Sequence, residues 1–402
     1  MQSNASRPFF FIHIRKTAGV SLRGLLANRF PADKILLQAH SVYGPQEPGE
    51  ARFATGHVDF DYAARFKVWP TIFTMLREPI ERCLSAYDFF HSHDEQFFGY
   101  IAAELSEADY QSRRRFQDRA RSLGLLRFLV EEEELARPWL ANVQTRQLAG
   151  ASCSGLADDD PQLLETALDH LARIELAGIV ERLEDSLRLL ERTMLWGEFG
   201  PLLHLNRTAR THTSNVDPRC LEILRAWNGL DLRLYEEACR LFEAKVQAQD
   251  ELPSGSASSG SAWPIAESRF TPDQPIYGYG WHEREHHGRW LCWNSAPRAT
   301  LNLRLAKARP AQLRCLLSHV INEAALGNLE MALNAIPLML RKRETEGGIL
   351  IESDIPPQAW TEDPYLARLT IKCPDMAKPC DLSQDSTDDR SLGVAMTLIS
   401  FD

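Results

Sequence analysis

The sequence predicts an α/β domain built on a central parallel sheet, followed by a smaller all-β domain of sandwich or jelly-roll type. Three observations predict this. Short apolar runs alternate with amphipathic stretches through the first 250 residues, as in βαβ units. The stretch Pro253-Ser254-Gly255-Ser256-Ala257-Ser258-Ser259-Gly260-Ser261 has the composition of a flexible linker. Beyond it, short segments alternate apolar and polar residues between turn residues, the pattern of two packed antiparallel sheets. The expected organisation is therefore a domain over 1–250, a linker over 251–262 and a β-domain over 263–402.

In chain order, Phe9-Phe10-Phe11-Ile12-His13-Ile14 reads as a buried parallel strand. It runs through Arg15-Lys16-Thr17-Ala18-Gly19-Val20-Ser21 into helical spacing at Leu22–Leu26. Thr71–Leu76 reads as a second strand. Pro79 suits a helix start, and Ile80–His91 continues as a helix. Helices are expected over Ser122 to about Ala136, Pro161–Ile174, Leu183–Trp196 and Pro218–Ala248, with a short strand at Ala177–Val180. In the C-terminal part, strands are expected at Thr300–Leu305, Gln312–Val320, Ile349–Ser353, Leu366–Lys372 and Leu392–Ile399.

Composition narrows the function classes. Of 402 residues, 44% are hydrophobic and 25% charged, which is the profile of a globular chain. A formal net charge of −10 argues against a general nucleic-acid or anionic-membrane binder. The apolar run Pro8–Ile14 is too short to span a bilayer, so no membrane insertion is expected. The eight cysteines are scattered without a C-x-x-C pair and read as free thiols. If any pair forms a disulfide, it is Cys373 with Cys380.

The first strand-to-helix turn can hold an anion. A helix N-terminus offers unpaired N–H groups and the positive end of a dipole. Gly19 permits close backbone approach, Thr17 and Ser21 bring hydroxyls, and Arg15 and Lys16 bring charge. The turn is like a P-loop, without the G-x-x-x-x-G-K-[ST] spacing; a solvated basic turn is the other reading. A second Arg, Arg77, stands at the end of the next strand. Ser85 lies two turns into its helix, on the face that carries Arg82. On adjacent parallel strands, both loops would meet at one sheet edge and hold two phosphates of one nucleotide. Otherwise Arg77 is a surface partner of Glu81.

These residues resemble a known family. Phe11 through Ser21 is similar to the 5′-phosphosulfate-binding motif of carbohydrate sulfotransferases that use 3′-phosphoadenosine-5′-phosphosulfate (PAPS). Leu76-Arg77-Glu78-Pro79 through Arg82, Ser85 and Tyr87 resembles their 3′-phosphate motif. The heparan sulfate 2-O-sulfotransferase group is the nearest in pattern. Ala54-Thr55-Gly56-His57-Val58-Asp59-Phe60 resembles the segment carrying the catalytic base there, with Thr55 where such proteins can carry a second histidine. Weaker similarity runs through Asn142-Val143-Gln144-Thr145 and Gly178-Ile179-Val180-Glu181-Arg182 to about residue 215, half the chain.

The resemblance implies a sulfotransferase acting on a saccharide hydroxyl, with adenosine 3′,5′-bisphosphate as product and no metal. It assigns His57 as base and Lys16 as the group stabilising the leaving oxygen. Arg15, Lys16, Thr17, Ala18, Gly19, Val20 and Ser21 would hold the 5′ side, and Arg77 and Ser85 the 3′-phosphate. His40 is a second base candidate, and His13 is read as structural. Arg207, Thr208, Arg210 and Thr211 correspond to a late basic loop around the adenine. The lack of a visible membrane anchor leads to the expectation of a cytoplasmic, bacterial enzyme. A kinase using the same cradle, and a non-catalytic glycan-binding protein, are the alternatives.

Two features lie in the C-terminal part. His282-Glu283-Arg284-Glu285-His286 matches H-E-x-x-H, but neighbouring glycines and Pro275 set it in a β-rich turn region rather than the helix a zinc site needs. Trp281, Trp290 and Trp293 form either a sugar-stacking platform or part of a sandwich core.

Overall fold

The computed structural model describes residues 7–41, 44–92, 107–194, 196, 199, 215–250, 265–266, 268–361 and 363–402. The chain divides into two compact units: 1–19, 36–190 and 206–252 form one, and 20–35, 191–205 and 253–402 the other. The expected linker falls outside the described residues. No helix among them is long and apolar enough to cross a membrane.

The first unit is α/β. Its strands are β1 (Phe9–Ile12), β2 (Ile35–Leu36), β3 (His40–Ser41), β4 (Gly44–Pro45), β5 (Phe53–Gly56), β6 (Thr71–Leu76) and β7 (Leu176–Ile179). The main sheet runs β2-β5-β1-β6-β7, and β3 pairs with β4 apart from it. The β5–β1, β1–β6 and β6–β7 pairs are parallel. β1, β5 and β6 are buried along their whole length. That is why β1 reads as an unbroken apolar run rather than an alternating one. Phe9, Phe11 and Phe73 pack ring on ring across β1 and β6.

Helix α1 (Gly19–Ala27) follows β1, and helix α2 (Pro79–Ser92) follows β6. Beneath α2 lies a helical core in which Phe90, Phe116, Phe128 and Leu140 are buried together. Two expected helices are divided. The stretch expected as one helix from Ser122 is three, Glu107–Leu123, Leu125–Glu131 and Glu133–Leu140. Gly124 breaks the first junction at φ 71°, a conformation open to glycine at little cost. Pro218–Ala248 is likewise two helices, Pro218–Trp227 and Gly229–Asp250. Asn228 between them turns its side-chain amide onto the Leu224 carbonyl and accepts from the Asn142 N–H. The break is therefore secured by tertiary hydrogen bonds that periodicity does not register.

In the second unit the strands are β8 (Ile265–Ala266), β9 (Arg269–Phe270), β10 (Glu285–His286), β11 (Trp290–Trp293), β12 (Arg298–Leu305), β13 (Gln312–Val320), β14 (Glu330–Leu333), β15 (Ile336–Pro337), β16 (Arg341–Thr345), β17 (Gly348–Asp354), β18 (Leu366–Lys372) and β19 (Val394–Phe401). They form one sheet in the order β10-β11-β19-β13-β17-β16, with β9 also on β19, and a second in the order β15-β14-β18-β12-β8. Pairing is antiparallel except for β8 with β12. Alternate residues of both sheets, among them Leu301, Leu303, Leu369, Ile371, Cys315, Leu317, Met396 and Ile399, share one buried cluster. Two sheets closing over one core is the arrangement that this alternation favours.

The segment 20–35 is held to this unit by two arginines, Arg284 half-buried and Arg29 buried. Arg284 donates to the carbonyls of Ala27 and Phe30 and to those of Pro272 and Gln274. Arg29 donates to the carbonyls of Ile276 and Gly278. Burial depresses both guanidinium pKa values to about 10, and carbonyl acceptors offset part of that desolvation.

All eight cysteines are free, including Cys373 and Cys380. Burial pushes the Cys292 and Cys315 thiols up to about 12 and Cys373 up to about 11. Because the thiolate is the nucleophile, these three are expected to resist iodoacetamide at pH 8 in the native protein and to react in guanidinium. Mass spectrometry of native and unfolded samples checks this; rapid native labelling of Cys292 or Cys315 would show the core to be open.

Candidate functional site

Three turns leave the carboxyl ends of three adjacent parallel strands. In register, Ile12 of β1 lies beside Gly56 of β5 and Thr74 of β6. His57 therefore follows β5, the 13–19 turn follows β1 and Arg77 follows β6, all at one sheet edge. From β1 the chain reaches β5 on one side, then crosses to β6 and β7 on the other. In open α/β sheets the crevice outside such a reversal is where ligands bind.

The turn after β1 is strained where sequence reasoning placed no strain. Lys16 and Ala18 both have positive φ, 70° and 64°. Left-handed backbone at non-glycine residues costs free energy and tends to persist where function requires it. Gly19 also has a packing role. A Cβ on Gly19 would lie 1.9 Å from the His13 ring, so the residue is small to admit that imidazole. Gly19, Val20 and Ser21 make the first turn of α1, whose N–H groups have no intrahelical acceptor. Thr17 is fully buried and its hydroxyl donates to the Ile14 carbonyl at 2.8 Å. That hydroxyl braces the turn in this conformation rather than facing outward as a donor.

Arg77 and Lys16 meet. The Arg77 guanidinium donates to the Lys16 carbonyl at 3.3 Å and is 3.7 Å from Glu81. At 8% side-chain exposure it is not a surface residue. The Lys16 ammonium lies 4.1 Å from the centre of the Phe89 ring on α2, a cation–π distance. Ser85, half-buried, is four residues before Phe89 and so shares the helix face turned toward Lys16. Arg15 stacks over Trp139 at 5.1 Å.

His57 has a defined tautomer. Its Nδ1 is 2.8 Å from the His13 carbonyl oxygen. A carbonyl only accepts, so Nδ1 carries the proton and the lone pair of the neutral ring is on Nε2. The His13 ring lies 4.3 Å from that of His57 and stacks on Phe11. His13 therefore spaces the base candidate from the cradle as well as filling the strand end.

Other residues of the two motifs go elsewhere. Arg82 is fully buried and donates to the Leu140 carbonyl at 2.8 Å, a structural bond inside the helical core. Tyr87 donates to the Ala120 carbonyl. Thr55 is fully buried. The His40 side chain and Arg207, Thr208, Arg210 and Thr211 lie outside the described residues.

Gln144 is the positioning residue that sequence reading missed. Its amide accepts from the Arg77 N–H and donates to the Arg77 carbonyl, both at 2.9 Å. The helix that carries it, Val143–Ala149, is capped by buried Asp231, which accepts from the Thr145 N–H and hydroxyl at 2.7 Å each. Gln147 on the same helix donates to the carbonyls of His13 and Val58. One helix thus clamps the backbone behind all three turns. The Asn142–Thr145 segment was visible as a weak motif, but nothing in it pointed to Arg77.

In the second unit, 282–286 is not helical, and His282 is buried with Nε2 at 2.9 Å from the Ser391 carbonyl. The two histidines of H-E-x-x-H therefore do not share a helical face. Trp281 is a core residue whose Nε1 donates to the Thr300 carbonyl. Trp290 and Trp293 are half-buried.

No model of a known protein family matches the chain, and no curated protein matches it significantly in sequence.

Two substitutions probe this geometry. Gly19→Ala forces a methyl into the His13 ring and is expected to lower stability by about 1–3 kcal/mol, measured by urea unfolding; an unchanged midpoint would contradict the packing. Gln144→Ala strips the Arg77 backbone of both its amide partners. It is expected to lower stability by about 1–3 kcal/mol, because buried backbone groups lose their partners; an unchanged urea midpoint would show that Gln144 does not hold the Arg77 backbone.

Proposed function

We propose that this protein is a PAPS-dependent sulfotransferase that moves a sulfuryl group to a hydroxyl of a saccharide or glycoconjugate. The observation that carries the reading is the convergence of His57, Lys16 and Arg77 on one edge of a parallel sheet, with Arg77 reaching the Lys16 carbonyl. The fold of the first unit is read on the same ground as P-loop-like.

The residues suit a doubly phosphorylated adenosine. The first turn of α1 offers N–H groups and a dipole to one phosphate, and the left-handed backbone at Lys16 and Ala18 helps to shape a concave turn of N–H groups. Arg77 and Ser85 would bind the 3′-phosphate, which PAPS has and ATP lacks. Thr17 contributes its N–H, since its hydroxyl is engaged by Ile14.

PAPS supplies an activated sulfuryl group whose bond to the 5′-phosphate oxygen breaks as one to the acceptor oxygen forms, a loose in-line displacement like phosphoryl transfer. Lys16 meets the negative charge that grows on the departing phosphate oxygen. His57 Nε2 takes the acceptor's hydroxyl proton while Nδ1–H stays on the His13 carbonyl, which holds the ring in the tautomer a base requires.

Calorimetry with adenosine 3′,5′-bisphosphate and ADP tests the nucleotide assignment. The bisphosphate is expected to bind at least about tenfold tighter, and Arg77→Ala to remove that preference by costing the bisphosphate about 10–100-fold. Equal affinity for the two nucleotides would favour a kinase. In a sulfuryl-transfer assay over a glycan panel, His57→Ala is expected to lower kcat/KM about 10²–10⁴-fold and abolish the acid limb of its pH profile. Lys16→Ala is expected to lower kcat about 10²–10³-fold. Full activity in His57→Ala would exclude it as the base.

A further inference from the structure

The second unit carries a cavity of about 250 Å³ whose lining includes Arg269, Asp273, Arg289, Trp290, Leu316 and Leu398. We propose that it binds one acidic sugar residue, a pyranose bearing a carboxylate or sulfate. The floor is the cross-strand pair Leu316 and Leu398 on β13 and β19, both half-buried. They lie on the face away from the core, which Cys315, Leu317 and Ile399 fill. An outward sheet face normally carries polar residues, so two leucines with an indole beside them mark a surface that gains by being covered. The half-buried Trp290 offers an aromatic face suited to the C–H face of a sugar ring.

The charges choose the ligand. Arg269 and Arg289 are exposed, and neither pairs with a carboxylate among the described residues; Arg289 donates to the Gly347 carbonyl. In a chain of net charge −10, two such guanidiniums at one hollow form a local anion site. Asp273 stands in the same lining. A bare phosphate or sulfate ion would be repelled by it, whereas a sugar has hydroxyls to donate to it and one anionic group for the arginines. The volume falls below the roughly 300–1,000 Å³ of pockets for drug-sized ligands, which suits a single ring with its chain continuing outward. Trp281 and Trp293 take no part. The site does not rest on the sulfuryl-transfer reading.

The test uses the full chain with three probes: a glucuronic acid–N-acetylglucosamine disaccharide, its glucose counterpart and inorganic sulfate. Binding is followed by tryptophan fluorescence and calorimetry. The acidic disaccharide is expected to bind at least about tenfold tighter than the neutral one, and sulfate not to compete at equal concentration. Trp290→Ala and the pair Arg269→Gln with Arg289→Gln are each expected to weaken it at least about tenfold. Trp290→Phe retains an aromatic face and is expected to keep most of the affinity, which guards against loss through misfolding. Lys16→Ala is expected to leave this binding unchanged. Absence of binding, equal binding of the neutral disaccharide, competition by sulfate, binding indifferent to Trp290→Ala, or loss in Lys16→Ala would each overturn the assignment.

Discussion

The carbonyl of His13 is the point on which the first unit's functional edge depends. It accepts from His57 Nδ1 and from Gln147 Nε2, and so joins the end of β1 to the turn after β5 and to the helix Val143–Ala149. The ring of the same residue fills the space that Gly19 leaves open. One residue therefore sets the tautomer of His57, the distance of that ring from the cradle, and the side-chain size allowed where α1 begins. The same helix reaches the third turn through Gln144, which holds the backbone of Arg77. The three turns are thus positioned from behind by hydrogen bonds.

Such bracing accounts for a turn that local preference would not choose. Lys16 and Ala18 adopt left-handed backbone without the freedom of glycine, at a cost on the order of 1–2 kcal/mol each. The buried Thr17 hydroxyl and the Arg77 contact to the Lys16 carbonyl tie the turn at its middle, and β1 anchors its start. Strain held in this way fixes the backbone of the turn in one conformation.

Much of this architecture was legible in the sequence. β6, β13 and β18 occupy the residues their composition indicates, because fully buried strands give unbroken apolar runs and half-buried ones alternate. The adjacency of the loops after β1 and β6 followed from reading both as parallel strands. What was not legible depended on side chains meeting across long sequence separations. Arg82 sits in a motif beside Ser85, yet its guanidinium is fully buried and donates to the Leu140 carbonyl, 58 residues on. Helical periodicity ran through Gly124 and Asn228, where backbone freedom in one case and tertiary hydrogen bonds in the other break the helix. Gln144 and His13 look ordinary in sequence because their roles lie in which backbone they touch. In the second unit, Trp281 and Trp290 could not be told apart by type: one is held in the core by the Thr300 carbonyl and the other borders a cavity.

The most direct measurement is a crystal structure of the protein with adenosine 3′,5′-bisphosphate. The account requires the 5′-phosphate against the N–H groups of 17–21 and the 3′-phosphate within hydrogen-bond reach of Arg77 and Ser85, with His57 Nδ1 still on the His13 carbonyl. A nucleotide bound away from this edge, or a 3′-phosphate that leaves Arg77 untouched, would contradict it.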